Sequence, residues 1–540
     1  MTTIDTAREN AGEFDYVIVG AGSAGCAIAN RLSADPTVRV CLLESGGRDK
    51  DPLIHAPIGF AFYPDWSPIN WRFDTVPQKH LNNRVCYQPR GRVLGGSSSI
   101  NAMIYIRGTK ADYDRWAAHG AHGWGWDDVL PYFKRAEGNT RGADEYHNDQ
   151  GPLTVSDLRY NNPLCGAFLE SAKELQLPSN HDFNGAKQEG VGYYQVTQRD
   201  GRRCSAAVAY LEPAKPRANL SIITDAHAER VVFEGTRAKG VDFRQGKTGK
   251  TVAARCEVIL SSGAFQSPQL LMLSGIGPGA HLREMGVEVI AERNAVGENL
   301  QDHLDWTALY RSPSPDSVGM TWSMAARFFS SLSAYRNRGE GPYTSNLAEC
   351  GGFLKTDPSE AEPDVQLHFV PGLVDDHGRK KHGGGGVSCH VCVLRPKSRG
   401  DVRLSSGDPM APPAINPNFL SDEDDLHRLV RGARIVERIF ASPKFDAIKG
   451  KALYLQEGAS DEELIADIRA RSDTIYHPVG TCRMGADADA VVDPQLRVNG
   501  VENLRVADAS VMPFLVSGNT NAPSIMIGEK AADLLKSTIR

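Results

Sequence analysis

FDYVIVGAGSAG, from Phe14 to Gly25, is the most informative stretch of the chain. Its first half is an apolar run that predicts a buried strand, and the glycines that follow lead into CAIANRLSA, which predicts a helix. A second apolar run, VRVCLLE, ends in Glu44, about 20 residues after the glycines. This order is typical of a βαβ unit that holds a dinucleotide, with its pyrophosphate at the helix N-terminus and its ribose beside the acid.

A second glycine pattern, Gly275 to Ala280, does not repeat this unit. The segment before it, FQSPQLLMLS, predicts a helix where a buried strand is required. The sequence therefore predicts one dinucleotide domain, whereas a flavoenzyme reoxidised by NAD(P)H normally needs two. The residues leave two alternatives, which are an NAD enzyme and a flavoprotein that is oxidised by oxygen or a quinone.

Composition excludes several classes of protein. The chain has 540 residues, 41% of them hydrophobic, which is enough for two or three domains with a sizeable core. A net charge of −6 argues against nucleic-acid binding. No apolar run approaches the roughly 20 residues that span a bilayer, and the polar N-terminus lacks a secretory signal. We therefore expect a cytoplasmic protein.

Cysteine and serine patterns predict neither a metal site nor a hydrolase. The ten cysteines are scattered, which indicates reduced thiols. The CxxC of Cys389 and Cys392 lies in an alternating stretch that predicts a strand, where the two thiols point to opposite faces. No GxSxG elbow is present, which excludes a serine hydrolase of that type.

IYHPVGTCRMG, from Ile475 to Gly485, contains a histidine whose role the residues alone leave open. Haem attachment would need CxxCH, which is absent, and a metal site would need further ligands at regular spacing. A structural histidine and a catalytic base remain.

Several long motifs resemble those of one family, in order and over nearly the whole chain. They are GRVLGGSSSINAMIYIRG, GAFQSPQLLMLSGIGP, VGENLQDH, YHPVGTCRMG and the C-terminal NLRVADASVMP. All five resemble motifs of the glucose-methanol-choline (GMC) family of FAD oxidoreductases. Within that family the chain is most similar in appearance to flavin-dependent primary-alcohol dehydrogenases, namely bacterial alkanol and polyethylene glycol dehydrogenases.

The resemblance implies a mixed α/β fold with two domains. A Rossmann-type FAD-binding domain is expected from residues 14–160, 200–310 and 465–540. A substrate domain, built on an antiparallel sheet, is expected from residues 161–199 and 311–464. The alternating stretches VQLHFV and VSCHVCVL agree with strands in that second domain.

The resemblance also implies FAD as cofactor and indicates which residues bind it. Ile100 stands where some family members carry the histidine that attaches FAD covalently, so we expect non-covalent binding. The expected FAD-binding residues are Gly20, Gly22, Ser23, Ala24, Gly25, Glu44, Ser45, Arg92, Val93, Gly95, Gly96, Ser98, Asn101, Ala102, Met103, Val231, Asp508, Ala509 and Asn521.

By the same resemblance, His477 is the catalytic base that faces flavin N5. Neutral histidine is basic at neutral pH, and general-base catalysis typically contributes about 100- to 10,000-fold. Asn519 occupies the partner position, and its amide is expected only to donate a hydrogen bond to the substrate. The expected substrate-pocket residues are Phe60, Phe62, Trp66, Glu349 and Tyr476.

The implied reaction is oxidation of a primary alcohol to an aldehyde, with electrons passed to a quinone-type acceptor. An alcohol oxidase that uses O2 on aryl or furanic alcohols is one alternative. A choline-type dehydrogenase is the other, because Glu349 would attract a cation. We expect a monomer or homodimer, and any contact with the inner membrane is expected to be peripheral, through exposed apolar residues near the pocket mouth.

Overall fold

The computed structural model describes residues 8–63 and 66–537. The first seven residues of the polar N-terminus and the last three of the predicted FAD domain lie outside this range. Two large sheets organise the described chain. The predicted mixed α/β fold is confirmed, since one sheet is largely parallel and the other antiparallel.

The first sheet contains the predicted βαβ unit. Glu9–Val19 pairs in parallel with Val40–Leu43 on one side and with Thr248–Leu260 on the other, and helix Ser23–Leu32 joins the first two strands. The sheet is completed by parallel strands Leu220–Ile223 and Leu504–Val506 and by antiparallel strands Ala226–Glu234 and Arg237–Gln245.

The second sheet contains both alternating stretches, as neighbouring antiparallel strands Val365–Val370 and Gly386–Val393. Its full order is Asp473–Thr474, Leu304–Arg311, Gly386–Val393, Val365–Val370, Cys350–Leu354 and Gly190–Tyr193. Two of these strands, Leu304–Arg311 and Asp473–Thr474, fall in segments that the sequence assigned to the FAD domain. The predicted domain boundaries stay a prediction. If each strand were assigned to the domain of its sheet, the boundary at 310 would move to just before Leu304.

Helices surround both sheets. Besides Ser23–Leu32, they are Pro52–His55, Lys110–Ala118, Trp126–Ala136, Pro163–Glu174, Glu212–Ala214, Gly263–Leu273, Gly279–Glu284, Trp322–Arg338, Glu423–Phe440, Asp461–Arg471 and Asn521–Lys536. Short paired strands are Phe73–Asp74 with Tyr87–Gln88, Glu137–Asn139 with Leu153–Val155, Gln198–Arg199 with Arg202–Arg203, Ile276–Gly277 with Ala291–Glu292, and Asp401–Arg403 with Ala414–Asn416.

Packing of the first helix on the first sheet explains one of the glycines. A Cβ on Gly25 would lie 1.9 Å from the carbonyl oxygen of Gly20, so no larger residue fits there. Helix Asn521–Lys536 packs beside helix Ser23–Leu32, and both bury apolar residues in the core of the first sheet. The two helices therefore begin close together.

The structure confirms that the second glycine pattern does not form a dinucleotide unit. Helix Gly263–Leu273 precedes it, and the pattern leads into the short helix Gly279–Glu284. The ten cysteines all have free thiols. Within the described ranges, no helix combines the length and apolar character needed to cross a bilayer.

Candidate active site

A cavity of about 1720 Å³ is lined by residues of both sheets. Its walls include the carboxyl ends of the parallel strands, where open α/β sheets bind their ligands. Most of the predicted site residues lie on its surface. They are Gly20, Gly22, Ser23, Ala24, Glu44, Ser45, Phe60, Phe62, Trp66, Gly96, Asn101, Ala102, Met103, Tyr476, His477, Asp508, Ala509, Asn519 and Asn521.

Two helix N-termini meet at one end of the cavity. Helix Ser23–Leu32 and helix Asn521–Lys536 both begin without a side-chain capping bond, so their first N–H groups remain available. The Ser23 hydroxyl donates to Asn521 Oδ1 over 2.7 Å, which joins the two ends. A helix N-terminus attracts anions, and two of them suit a pyrophosphate.

Glu44 lies at the same end of the cavity, directly after its strand. Its two carboxylate oxygens accept hydrogen bonds from the N–H groups of Ala21 and Gly46, at 3.0 and 2.8 Å. Burial raises the pKa of this carboxyl to about 7. The glycine turn, the two helix ends and the acid together fit the diphosphate and ribose of a dinucleotide.

Six predicted cofactor residues lie behind the cavity wall. Gly25, Val93, Gly95 and Ser98 pack in the interior, and the Arg92 guanidinium lies 4.9 Å from the ring of Trp71, which does line the cavity. Val231 is buried in the core, and its strand meets the cavity earlier, at Ala226, His227 and Ala228. The strand predicted at Val231 is present and reaches the cavity nearer its start, while the contact of Val231 with FAD stays a prediction.

His477 is fixed by a second segment, which runs from Asn299 to His303. The N–H of Val479 donates to the carbonyl of Gln301, and the N–H of Ile475 donates to that of His303. Asp302 Oδ1 accepts the His477 backbone N–H at 2.8 Å. Gly480 has a φ of 96°, a conformation that favours glycine, and the chain turns there directly after the histidine.

The hydrogen bonds of His303 determine the tautomer of His477. His303 Nε2 lies 2.8 Å from the carbonyl oxygen of Leu394, so this nitrogen carries the proton. Burial lowers the pKa of His303 to about 3, so its Nδ1 is an acceptor. That Nδ1 lies 2.9 Å from His477 Nδ1, which must therefore be the donor. The Nε2 of His477 is left with a lone pair.

Asn519 lies next to that lone pair. Its Nδ2 is 3.1 Å from His477 Nε2, and its Oδ1 accepts from Gln366 Nε2 at 3.1 Å. Because Gln366 occupies the oxygen, the amide N–H groups face the histidine and the cavity. One of these N–H groups donates to the lone pair of His477 Nε2. An alcohol that gives its proton to Nε2 takes the place of this N–H, which is then available to donate to the alcohol oxygen.

Burial lowers the pKa of His477 well below its usual value, and nearby His303, His368 and Arg90 lower it further. The imidazole is therefore neutral at neutral pH. A neutral, oriented Nε2 lone pair in a cavity wall is the arrangement that a general base requires.

Glu349 does not face the cavity. It is buried, and its carboxylate accepts the backbone N–H of Asn162 at 2.6 Å and the hydroxyl of Ser345 at 2.5 Å. The expectation that this acid attracts a cationic substrate is not met by this geometry. Asp305 is one of the carboxylates that line the cavity; its Oδ2 binds His390 at 2.6 Å, and its buried Oδ1 has no hydrogen-bond partner.

The aromatic residues predicted at the entrance are on the cavity surface at different depths. Phe60 packs in an apolar cluster with Phe328 and Tyr343, whereas Phe62 and Trp66 are exposed. The hydroxyl of Tyr476 lies 2.6 Å from His377 Nδ1. These positions place Phe62 and Trp66 at the cavity mouth.

Sequence reasoning missed four residues of the site: Asp302, His303, Asp305 and Gln366. The first two belong to VGENLQDH, which was used only to recognise the family. Their position within a long motif was the available signal for them. Nothing local distinguishes Gln366 from other polar residues of its strand.

Comparisons with known proteins agree with this site. Residues 14–305 and 396–528 match the N- and C-terminal parts of the GMC oxidoreductase family. Alcohol dehydrogenase [acceptor] from Pseudomonas putida is 50% identical over 531 residues, which cover 97% of this chain and 95% of that protein. Mitochondrial choline dehydrogenase from Homo sapiens is 44% identical over 542 residues, which cover 98% and 90%.

A solved structure shows the same architecture. Formate oxidase from Aspergillus oryzae RIB40, solved to follow modification of its FAD, has a TM-score of 0.91 and 28% identity over 98% of this chain and 99% of its own. The two helix N-termini and Glu44 fit the diphosphate and ribose of FAD, which is the cofactor. The chain belongs to the GMC oxidoreductase family.

Proposed function

We propose that the protein oxidises a primary alcohol to an aldehyde with FAD and passes the electrons to a quinone-type acceptor. The observation that carries this proposal is the lone pair of His477 Nε2, oriented by His303 and adjacent to the Asn519 amide. The 50% identity to a protein named alcohol dehydrogenase [acceptor] supports the same reaction.

The two side chains have separate tasks. Asn519 donates a hydrogen bond to the alcohol oxygen, and His477 Nε2 takes the hydroxyl proton. When bound, FAD supplies the acceptor for the hydride that leaves the alcohol carbon. The alcohol thus loses one proton and one hydride, which balances the oxidation to an aldehyde. Because burial disfavours protonated His477, the proton is readily released afterwards.

Apolar residues line much of the cavity and support a substrate with an alkyl or aryl tail. They include Phe60, Val318, Phe328, Leu347 and Val370. Glu349, the acid expected to attract a cation, is turned into the core. A neutral alcohol with an apolar tail fits this lining.

A choline-type substrate is the second candidate, and Asp305 favours it. Asp305 lines the cavity, its buried Oδ1 has no hydrogen-bond partner, and a relative that is 44% identical is named choline dehydrogenase. Against it, Asp305 Oδ2 is already bound to His390.

The acceptor and the location complete the proposal. With one dinucleotide domain, the reduced cofactor must pass its electrons directly outward. A quinone in the inner membrane is the proposed acceptor, reached from the cytoplasmic side through a peripheral contact. Slow reaction with O2 is expected, and fast reaction with O2 would make the protein an alcohol oxidase.

Anaerobic bleaching of the yellow enzyme tests the reaction. We expect 1-octanol and benzyl alcohol to bleach wild-type enzyme rapidly, choline to act slowly, and His477→Ala to bleach at least about 100-fold more slowly. Bleaching by choline alone would favour the second candidate, and Asp305→Asn should then abolish it. Absence of bleaching by any alcohol would contradict the proposal.

A further inference from the structure

Exposed aromatic and large apolar side chains concentrate around the cavity mouth. Trp322 is 93% exposed, Phe329 83%, Trp66 74%, Met320 63% and Phe62 56%. All of these except Phe329 line the cavity. We call these five residues the mouth patch. Large apolar patches on a soluble surface usually mark an interaction site, because exposing them to water is unfavourable.

Part of the mouth patch lies on the outer face of helix Trp322–Arg338. Its inner face is held in place by Tyr343, which meets Phe328 edge to face with ring centres 4.9 Å apart and stacks on Tyr335 with ring centres 5.2 Å apart. Trp322 and Phe329 are seven residues apart, so they lie on one face of the helix, and both are exposed. The helix is thus anchored on one side and offers two aromatic rings on the other.

A basic rim borders the patch. Residues 316–340 and 375–384 together carry six lysines and arginines against four carboxylates, on a chain whose net charge is −6. Three of the arginines, Arg327, Arg338 and Arg379, are ion-paired within these segments. The two segments are joined where Met320 pairs with Gly383 and Gly384. Lys380 and Lys381 are exposed. Positive charge therefore accompanies the apolar patch, although the whole chain is negative.

We propose that the mouth patch docks on the surface of an anionic lipid bilayer. Exposed aromatic residues on a helix with basic neighbours are typical of peripheral binding, in which apolar side chains enter the interface and cations attract the headgroups. The inference rests on the proposed function, because an apolar alcohol and a quinone would then pass from lipid to cavity without crossing water.

A second copy of the chain fits this surface less well. A two-fold dimer brings the same patch of both protomers together, so the basic rim of one would face the basic rim of the other. Like charges in contact oppose such a pairing. An anionic lipid surface instead complements both the apolar patch and the rim.

Vesicle flotation with the FAD-loaded enzyme tests the docking. We expect wild-type protein to float with vesicles of phosphatidylglycerol and phosphatidylcholine and not with pure phosphatidylcholine. Trp322→Ser/Phe329→Ser and Lys380→Glu/Lys381→Glu should each weaken binding at least about tenfold. Matched controls away from the mouth, Leu175→Ser/Met410→Ser and Lys239→Glu/Lys247→Glu, should bind as wild type.

Bound-FAD absorbance shows that each variant is folded. Docking is refuted if wild type does not float, if it binds neutral vesicles equally, or if either patch variant loses less than tenfold. It is also refuted if the controls lose as much, or if light scattering shows a dimer that Trp322→Ser/Phe329→Ser dissociates. Flotation needs no alcohol and bleaching needs no vesicle, so failure of the docking is distinguishable from failure of the proposed function.

Discussion

Replacing His303 with phenylalanine tests whether this residue sets the tautomer of His477. The new ring keeps most of the volume but accepts no hydrogen bond, so His477 Nδ1–H would be buried without a partner. An unsatisfied buried donor costs about 1–3 kcal/mol. The cost applies only to the tautomer that keeps a lone pair on Nε2, because the other tautomer has no proton on Nδ1.

That penalty shifts the neutral imidazole towards the inactive tautomer. At about 1.4 kcal/mol per factor of ten, the active fraction falls by roughly 5- to 150-fold. The rate constant for flavin reduction, measured by anaerobic stopped-flow absorbance at saturating alcohol, should fall by the same factor. FAD content should be unchanged, since His303 does not line the cavity.

His303→Gln is the matched control. One amide can accept the His477 Nδ1–H with its oxygen and donate to the Leu394 carbonyl with its nitrogen, as the imidazole does. We expect this variant to recover most of the lost rate. A wild-type rate in His303→Phe, or equal losses in both variants, would refute the tautomer argument.

The remaining predictions concern the base, the cofactor and the acceptor. His477→Ala should retain FAD and reduce its flavin about 100-fold or more slowly than wild type. Asn519→Ala should slow flavin reduction less, because it loses only a neutral hydrogen bond worth about 0.5–1.5 kcal/mol. Stopped-flow measurement of both reduction rates tests this order. The pKa of His477 is lowered, and its neutral form is the base. The flavin reduction rate should therefore be constant above pH 7 and, as pH is lowered, should fall only below about pH 6.5. A rate that already falls while the pH is lowered towards 7 would contradict this. Acid precipitation should release all FAD into the supernatant, because Ile100 offers no attachment atom; yellow precipitate would mean covalent FAD. The reduced enzyme should be reoxidised faster by a soluble quinone than by air, and equal rates in stopped flow would indicate an oxidase.

Local patterns predicted the elements that local interactions determine. The apolar run before Gly20 and the run ending at Glu44 became adjacent parallel strands, and the two alternating stretches became neighbouring antiparallel strands. The pattern indicated that each segment is a strand, but it did not specify one buried face, since these strands are buried on both faces. Local sequence does not specify which residue of a strand reaches the cavity, as Val231 shows, because strand register depends on partners elsewhere in the chain.

Contacts between distant segments were not predictable from spacing. His303 meets His477 across 174 positions, and no local feature of either segment indicates this pairing. Glu349 was expected to face the pocket, yet its carboxylate lies in the core, where it accepts the backbone N–H of Asn162, 187 positions away. A buried backbone donor needs an acceptor, and Glu349 meets this requirement.

The hydrogen bond between Ser23 and Asn521 has a consequence for how the protein is made. These residues are 498 positions apart, and each begins one of the two helices that hold the pyrophosphate. During synthesis the second helix is therefore translated almost 500 residues after the first helix and its glycine turn. Between these two points the growing chain presents only half of the anion site. FAD should be captured tightly only after the second helix has left the ribosome.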